Sequence, residues 1–199
     1  MAKFNRKIFE KEIAKTLESQ SIKQQAYAIA QQKVRRAQRE MLQEFNSHPV
    51  TREVEGGSEA NNLSGTLGGY GNLFTFIGFN RSSRPTASIR KYLEREINVF
   101  SQPRVIKTRN ESTFLFKVGS PKIEVLEELS PSPWEGRSWI KGVETGITGL
   151  GHYLYQRHEG FPTSRSGKAV QKSEQMRTLS FRPIRYMTSI LEEFYKQTR

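Results

Sequence analysis

The sequence predicts an α+β fold: a long N-terminal helix, an antiparallel β-sheet or sandwich core, and a C-terminal amphipathic helix packed on the sheet. Three observations predict it. Residues 4–45 contain neither Gly nor Pro, and their apolar side chains recur at spacings of three and four, the signature of a helix with one buried stripe. Beyond residue 98 the period falls to two, with Phe114, Phe116 and Val118 alternating against Thr113 and Lys117. From Ile184 to Tyr195 the period returns to three and four.

The N-terminal stripe runs Phe4, Ile8, Ile13, Leu17, Ile22, Ala26, Ile29, Ala30, Val34, Ala37, Met41, Leu42, Phe45, with a break point at Ser19-Gln20-Ser21. As one helix it would reach roughly 60 Å at about 1.5 Å per residue. That is longer than a small domain is wide, so part of it is expected to pack on another molecule. We divide the chain into a helical arm, 1–48, and an α+β core, 49–199. His48-Pro49 ends the helix, because the residue before proline avoids the helical region. Residues 50–62 then read as an exposed polar loop.

Residues 61–79 couple four glycines (Gly65, Gly68, Gly69, Gly71) to a dense apolar run, and residues 73–79 read as a buried strand. Glycine serves where the chain turns tightly or a backbone comes close. A phosphate loop needs a Lys-Ser/Thr pair after its glycines, and a dinucleotide loop needs G-x-G-x-x-G between strand and helix. Neither is present. Gly65-Thr66-Leu67-Gly68 fits the short GxxG clamp of one RNA-binding module, a match that arises often by chance. A glycine-hinged apolar segment therefore reads as a docking element. Leu63, Gly65, Leu67, Tyr70, Leu73, Phe74, Phe76 and Phe79 are the candidate subunit contacts.

Ser82-Ser83 and Pro85 open a short helix over about 84–96, carried by Ile89, Tyr92, Leu93 and Ile97. A strand is expected at 104–109, then a hairpin pairing 113–118 with 123–125 across Gly119-Ser120-Pro121. Residues 130–151 hold both tryptophans, Trp134 and Trp139, in a Pro/Gly-punctuated segment expected to cover a sheet edge. Tyr153 and Tyr155 suggest a strand at 152–157, and 158–178 a mobile basic loop ordered by a partner. The final helix is expected from Ser180, with Pro183 in its first turn.

Net charge is +12 and the isoelectric point about 10.0, which favours a polyanionic neighbour. A merely well-solvated cationic surface has the same composition. The charge is spread: residues 81–110 carry eight basic and two acidic side chains, residues 157–185 seven and two. Arg35, Arg36, Arg39, Arg157, Arg165, Lys168, Lys172 and Arg177 are the candidate contacts to DNA or an acidic partner. Hydrophobic content of 35% and a mean hydropathy of −0.68 are low for a self-contained globule, which again points to order supplied by partners. No apolar run approaches the ~18 residues of a membrane span.

Cysteine is absent, which excludes disulfides and thiolate-ligated metals. Aspartate is absent too; all 20 acids are glutamate. That removes the aspartate-held magnesium of phosphoryl transfer. His48, His152 and His158 lack the spacing of a zinc-binding helix, and no G-x-S-x-G nucleophile turn occurs. No catalytic constellation and no cofactor is expected.

The order of elements, with Asn62-Leu63-Ser64-Gly65-Thr66-Leu67 after the long helix and Val143-Glu144-Thr145-Gly146 later, resembles the head–tail connector and tail-completion (neck) proteins of tailed bacteriophages. That family shares a Ser/Thr-Gly-x-Leu loop and a Val-Glu-x-Gly turn. The resemblance implies a virion protein forming a ring of identical subunits, a hexamer by analogy, between portal and tail. Its partners would be its own copies, other neck, portal or tail proteins, and DNA passing through the lumen without base reading. A basic nucleic-acid-binding protein without catalytic activity is the alternative; an unrecognised nuclease is the third reading.

Overall fold

The computed structural model describes residues 20–67, 71–95, 97–107, 112–133, 136–146 and 181–199. The elements are α1 (Gln20–Ser47), α2 (Pro49–Glu55), a 3-10 turn (Gly57–Glu59), α3 (Leu73–Ile77), α4 (Ala87–Leu93), β1 (Arg104–Lys107), β2 (Ser112–Leu115), α5 (Ile123–Glu128), α6 (Trp139–Thr145) and α7 (Met187–Thr198). Among the described residues the architecture is mixed: helices, with a small two-stranded antiparallel ribbon, β1–β2. No sandwich is seen among the described residues.

α1 is 28 residues long, about 42 Å at ~1.5 Å per residue. Only its C-terminal half enters the core, through Val34, Ala37, Met41 and Phe45. α7 presents Met187, Ile190, Leu191 and Phe194 and packs chiefly on α1. This corrects the expectation that the last helix lies on the sheet: a two-stranded ribbon offers too little apolar area, whereas α1 offers a continuous stripe. α7 also starts seven residues later than Ser180. Residues 181–186 are held as non-helical chain: Arg182 N–H donates to Thr66 C=O (3.0 Å), and Ile184 N–H to Val143 C=O (3.1 Å). Pro183 therefore precedes the helix.

Further expectations are corrected. Residues 49–55 are helical, not loop. Pro49 stops α1 but also begins α2, since a first-turn proline has no intrahelical N–H to lose; His48 is the N-cap, its side chain accepting from Val50 N–H. Val50, Thr51, Glu53 and Val54 are buried. Residues 73–77 form a one-turn helix, not a strand. Asn72 Oδ1 caps Thr75 N–H at 2.9 Å, and Gly78, at φ +85°, closes the helix in the left-handed region. There a Cβ would be strained.

The hairpin exists with other partners. β1 pairs with β2 in the register Arg104↔Leu115, Val105↔Phe114, Ile106↔Thr113, and a bridge Val99↔Val118 extends it. Residues 123–128 are α5 instead of the return strand, because Ile123, Leu126 and Leu129 recur every three residues and face the core. α6 carries Trp139 into the core, edge-on to Phe79 at 6.1 Å, rather than over a sheet edge. Trp134 and residues 147–180, with the expected strand at 152–157 and loop at 158–178, lie outside the described residues, as do residues 1–19.

The core gathers Phe45, Phe74, Ile77, Leu93, Trp139, Tyr186 and Phe194, among others, all at 2% exposure or less. The second half of α1 shares it with the elements that follow residue 48.

Candidate functional site

Two glutamates hold the loops that carry the sequence motifs. Glu53 of α2 is fully buried. Its Oε2 accepts Ser64 N–H and its Oε1 accepts Leu73 N–H, both at 2.7 Å. One carboxylate thus ties both ends of the 64–73 loop to α2. Inside the loop, Gly65 adopts φ +68° and donates its N–H to Asn62 Oδ1, while Ser64 and Thr66 hydroxyls meet at 2.9 Å. Asn72 Nδ2 reaches back to Ser58 and Ala60 carbonyls. Glu144 of α6 does the equivalent for the C-terminal segment: Oε1 accepts Tyr186 and Thr188 N–H at 3.1 and 2.8 Å, and Oε2 accepts the Thr188 hydroxyl at 2.7 Å. These contacts satisfy backbone donors just before and at the start of α7, where negative charge is favoured.

Between them sits a buried polar cluster. The Thr51 and Tyr186 hydroxyls bond at 2.6 Å, and the His48 ring lies 4.7 Å from that of Tyr186. Burial pushes the Tyr186 phenol well above its ordinary range and lowers His48. His48 Nδ1 accepts the Val50 N–H at 3.2 Å, so the unprotonated imidazole is the capping form. The Thr51–Tyr186–His48 cluster is a set of structural contacts; it offers neither a nucleophile beside a base nor an open position for substrate. Among the described residues, no three His or Glu side chains converge as metal ligands. No described helix is long and apolar enough to cross a membrane.

The expected subunit contacts divide. Leu67, Leu73, Phe74 and Phe79 are buried in the chain's own core, so in this fold they have no surface left for a neighbour. Phe76 is half-buried and stacks on Phe181. Leu63, at 44%, and Gly65 remain exposed. Tyr70 lies outside the described residues.

The expected cationic contacts divide too. Arg35, Arg36 and Arg39 are exposed on α1. Arg36 pairs with Glu40 at 2.8 Å, which raises Arg36 and lowers Glu40. Arg39 faces a shallow cleft shared with Arg52; Arg35 and Arg39 border a second one with Gln31 and Gln32. Arg157, Arg165, Lys168, Lys172 and Arg177 lie outside the described residues.

One surface was missed from sequence. The inner face of the β1–β2 ribbon meets α1, with Phe116 and Tyr27 rings at 5.9 Å and the Tyr27 hydroxyl donating to Val99 C=O at 3.0 Å. The outer face leaves Phe100, Ile106 and Leu115 exposed at 51, 42 and 46%. Lys117 lies over the Phe100 ring. The available signal was the unbroken run Phe114-Leu115-Phe116, with Val105-Ile106 opposite: apolar residues at consecutive strand positions mean two apolar faces. Glu53 was legible as well, lying three residues after Val50 on the buried face of α2.

Comparison of the chain with protein-family models, with curated proteins and with solved structures gave no match.

Proposed function

We propose that this protein is a non-enzymatic structural subunit that assembles with its own copies, in the neck or tail of a tailed-phage virion, as a ring around the DNA path. One observation carries the reading: the outer ribbon face holds Phe100, Ile106 and Leu115 in the open. Isolated exposed apolar residues are ordinary, but several on one face of a ribbon whose edges meet no further strand among the described residues mark a contact surface. A closed ring needs two different patches per subunit. Ile29, 67% exposed on the half of α1 that precedes the core, supplies a candidate for the second. The Ser64-Gly65-Thr66-Leu67 and Val143-Glu144-Thr145-Gly146 motifs would then be scaffold, since Glu53 and Glu144 use them to fix the loops.

The test is the mass of the purified chain by mass photometry and sedimentation velocity, with Leu115→Glu and Ile29→Glu as variants. The proposal expects closed multimers of the 22.9 kDa chain, and each variant alone should break them, because a heterologous interface uses both patches. Two half-competent variants mixed together should form pairs and stop. A wild-type chain that stays monomeric to ~100 μM, about 5 kcal/mol of association free energy, whether or not duplex DNA is added, would overturn it.

A further inference from the structure

α1 has a face without carboxylates. At ~100° per residue, Gln31, Gln32, Arg35, Arg39, Gln43 and Asn46 fall within a sector of about 120°, and all but Gln31 are exposed. Gln24 and Gln25 continue it toward the helix start. The two acids of α1, Glu40 and Glu44, lie elsewhere: Glu40 pairs with Arg36, and Glu44 is turned toward α7, where burial and Glu193 raise its pKa. Two open clefts of about 430 and 650 Å³ follow one another along this face and meet at Arg39. α2 adds Arg52 to the second. Glu55, linked to that end through Arg90 and Asn46, is already bonded by Arg90 and Thr86.

We infer that this face, centred on Arg35, Arg39 and Arg52, binds the phosphodiester backbone of duplex DNA without reading sequence. It deepens the reading of a subunit around a DNA path, and rests on it for its setting. Guanidinium groups match phosphate oxygens in fork geometry; glutamine and asparagine amides add neutral donors that phosphate and sugar oxygens accept. Arg35 and Arg39 rise ~6 Å apart along the helix, close to the ~7 Å that two base pairs advance. A protein partner would meet this face with carboxylates but would also need apolar anchors, and Leu42 is the one large apolar side chain here, half-buried. Arg36 projects outside this sector and is left out.

The experiment measures anisotropy of a labelled 30-bp duplex of arbitrary sequence with the full chain over a salt series. Arg35→Gln/Arg39→Gln/Arg52→Gln is compared with a charge-matched control on other elements and off the ribbon face, Lys91→Gln/Lys122→Gln/Lys141→Gln. Three lost phosphate contacts should flatten the slope of log K against log salt by about 2.7, at ~0.9 per contact, and weaken binding at least tenfold at low salt; the control should change affinity less than threefold. Equal effects of the two sets would overturn the inference. So would a wild-type slope shallower than about −3, or a poly-glutamate peptide that competes as well as DNA and depends on the same three arginines. Circular dichroism and the mass of the assembly are read on the same samples. Loss of DNA binding with the assembly intact separates this face from the assembly surface, and failure of assembly with DNA binding kept separates them in the other direction.

Discussion

Glu53 offers the sharpest mutational test of the fold. Its two oxygens accept two backbone N–H groups, from Ser64 and Leu73, at 2.7 Å each, in a position with no solvent exposure. Glu53→Gln keeps one acceptor and turns an amide N–H₂ toward the other backbone donor. One hydrogen bond to a charged group, about 1.5–3 kcal/mol, is lost, and one N–H is left buried and unmet. The expected destabilisation is about 2–3 kcal/mol. Glu53→Ala loses both bonds and leaves a void, for about 4–5 kcal/mol. Against a total of ~5–15 kcal/mol, the alanine variant approaches global unfolding while the glutamine variant stays measurable. Urea unfolding followed by tryptophan fluorescence is the assay. With a slope near 2 kcal/mol/M, Glu53→Gln should lower the midpoint by roughly 1–1.5 M at unchanged slope. The 60–72 loop should also become the first site of proteolytic cutting. A glutamine variant within about 0.5 kcal/mol of the parent, with the loop equally resistant, would refute the account of this carboxylate.

Other outcomes follow from the same geometry. Tyr186→Phe and Thr51→Val should each cost about 1–3 kcal/mol by stranding the partner hydroxyl, while the double variant costs less than their sum, as a double-mutant cycle in urea will show. Phe194→Ala, on the α7 face packed against α1, should cost about 3–5 kcal/mol and lower the melting temperature accordingly. Asn72→Ala removes the cap of α3 and its bonds to Ser58 and Ala60, for about 1–2 kcal/mol. Burial lowers the His48 pKa below its ordinary 6.5, so the unfolded chain binds the proton first. Its contribution is therefore complete above pH ~6.5 and declines as pH falls from there toward the folded-state value. His48→Asn, a capping residue that does not titrate, should flatten stability against pH over that window.

The sequence carried the helical frame and lost the middle. α1 and α7 were legible because each presents a stripe of at least three turns, long enough for the period to be unambiguous. The short elements were not. Leu73-Phe74-Thr75-Phe76-Ile77 has strand composition over five residues, and only the caps at Asn72 and Gly78 make it helical; Gly78 was left inside the expected strand 73–79. Ile123–Glu128 was read by alternation, although its three-residue recurrence and its glutamates suited a helix better. Pro49 was read only as a stop, when it is also a start. Of the candidate site, the exposed arginines of α1 were legible as charge, but which of them share a face with Arg52 depends on how α2 folds back. Part of the expected docking segment is buried for a plain reason: composition says that Leu73, Phe74 and Phe79 seek burial, and cannot say against what. Here their own chain satisfies them, and the ribbon at Phe100, Ile106 and Leu115 is left outside.

The central claim is that the exposed ribbon face joins copies of this chain. Its most direct measurement is the mass distribution of the wild-type chain beside that of Leu115→Glu, under conditions where both show the same circular dichroism. The account predicts closed multimers for the first and the 22.9 kDa monomer for the second. Identical distributions for the two, whatever their mass, would contradict it.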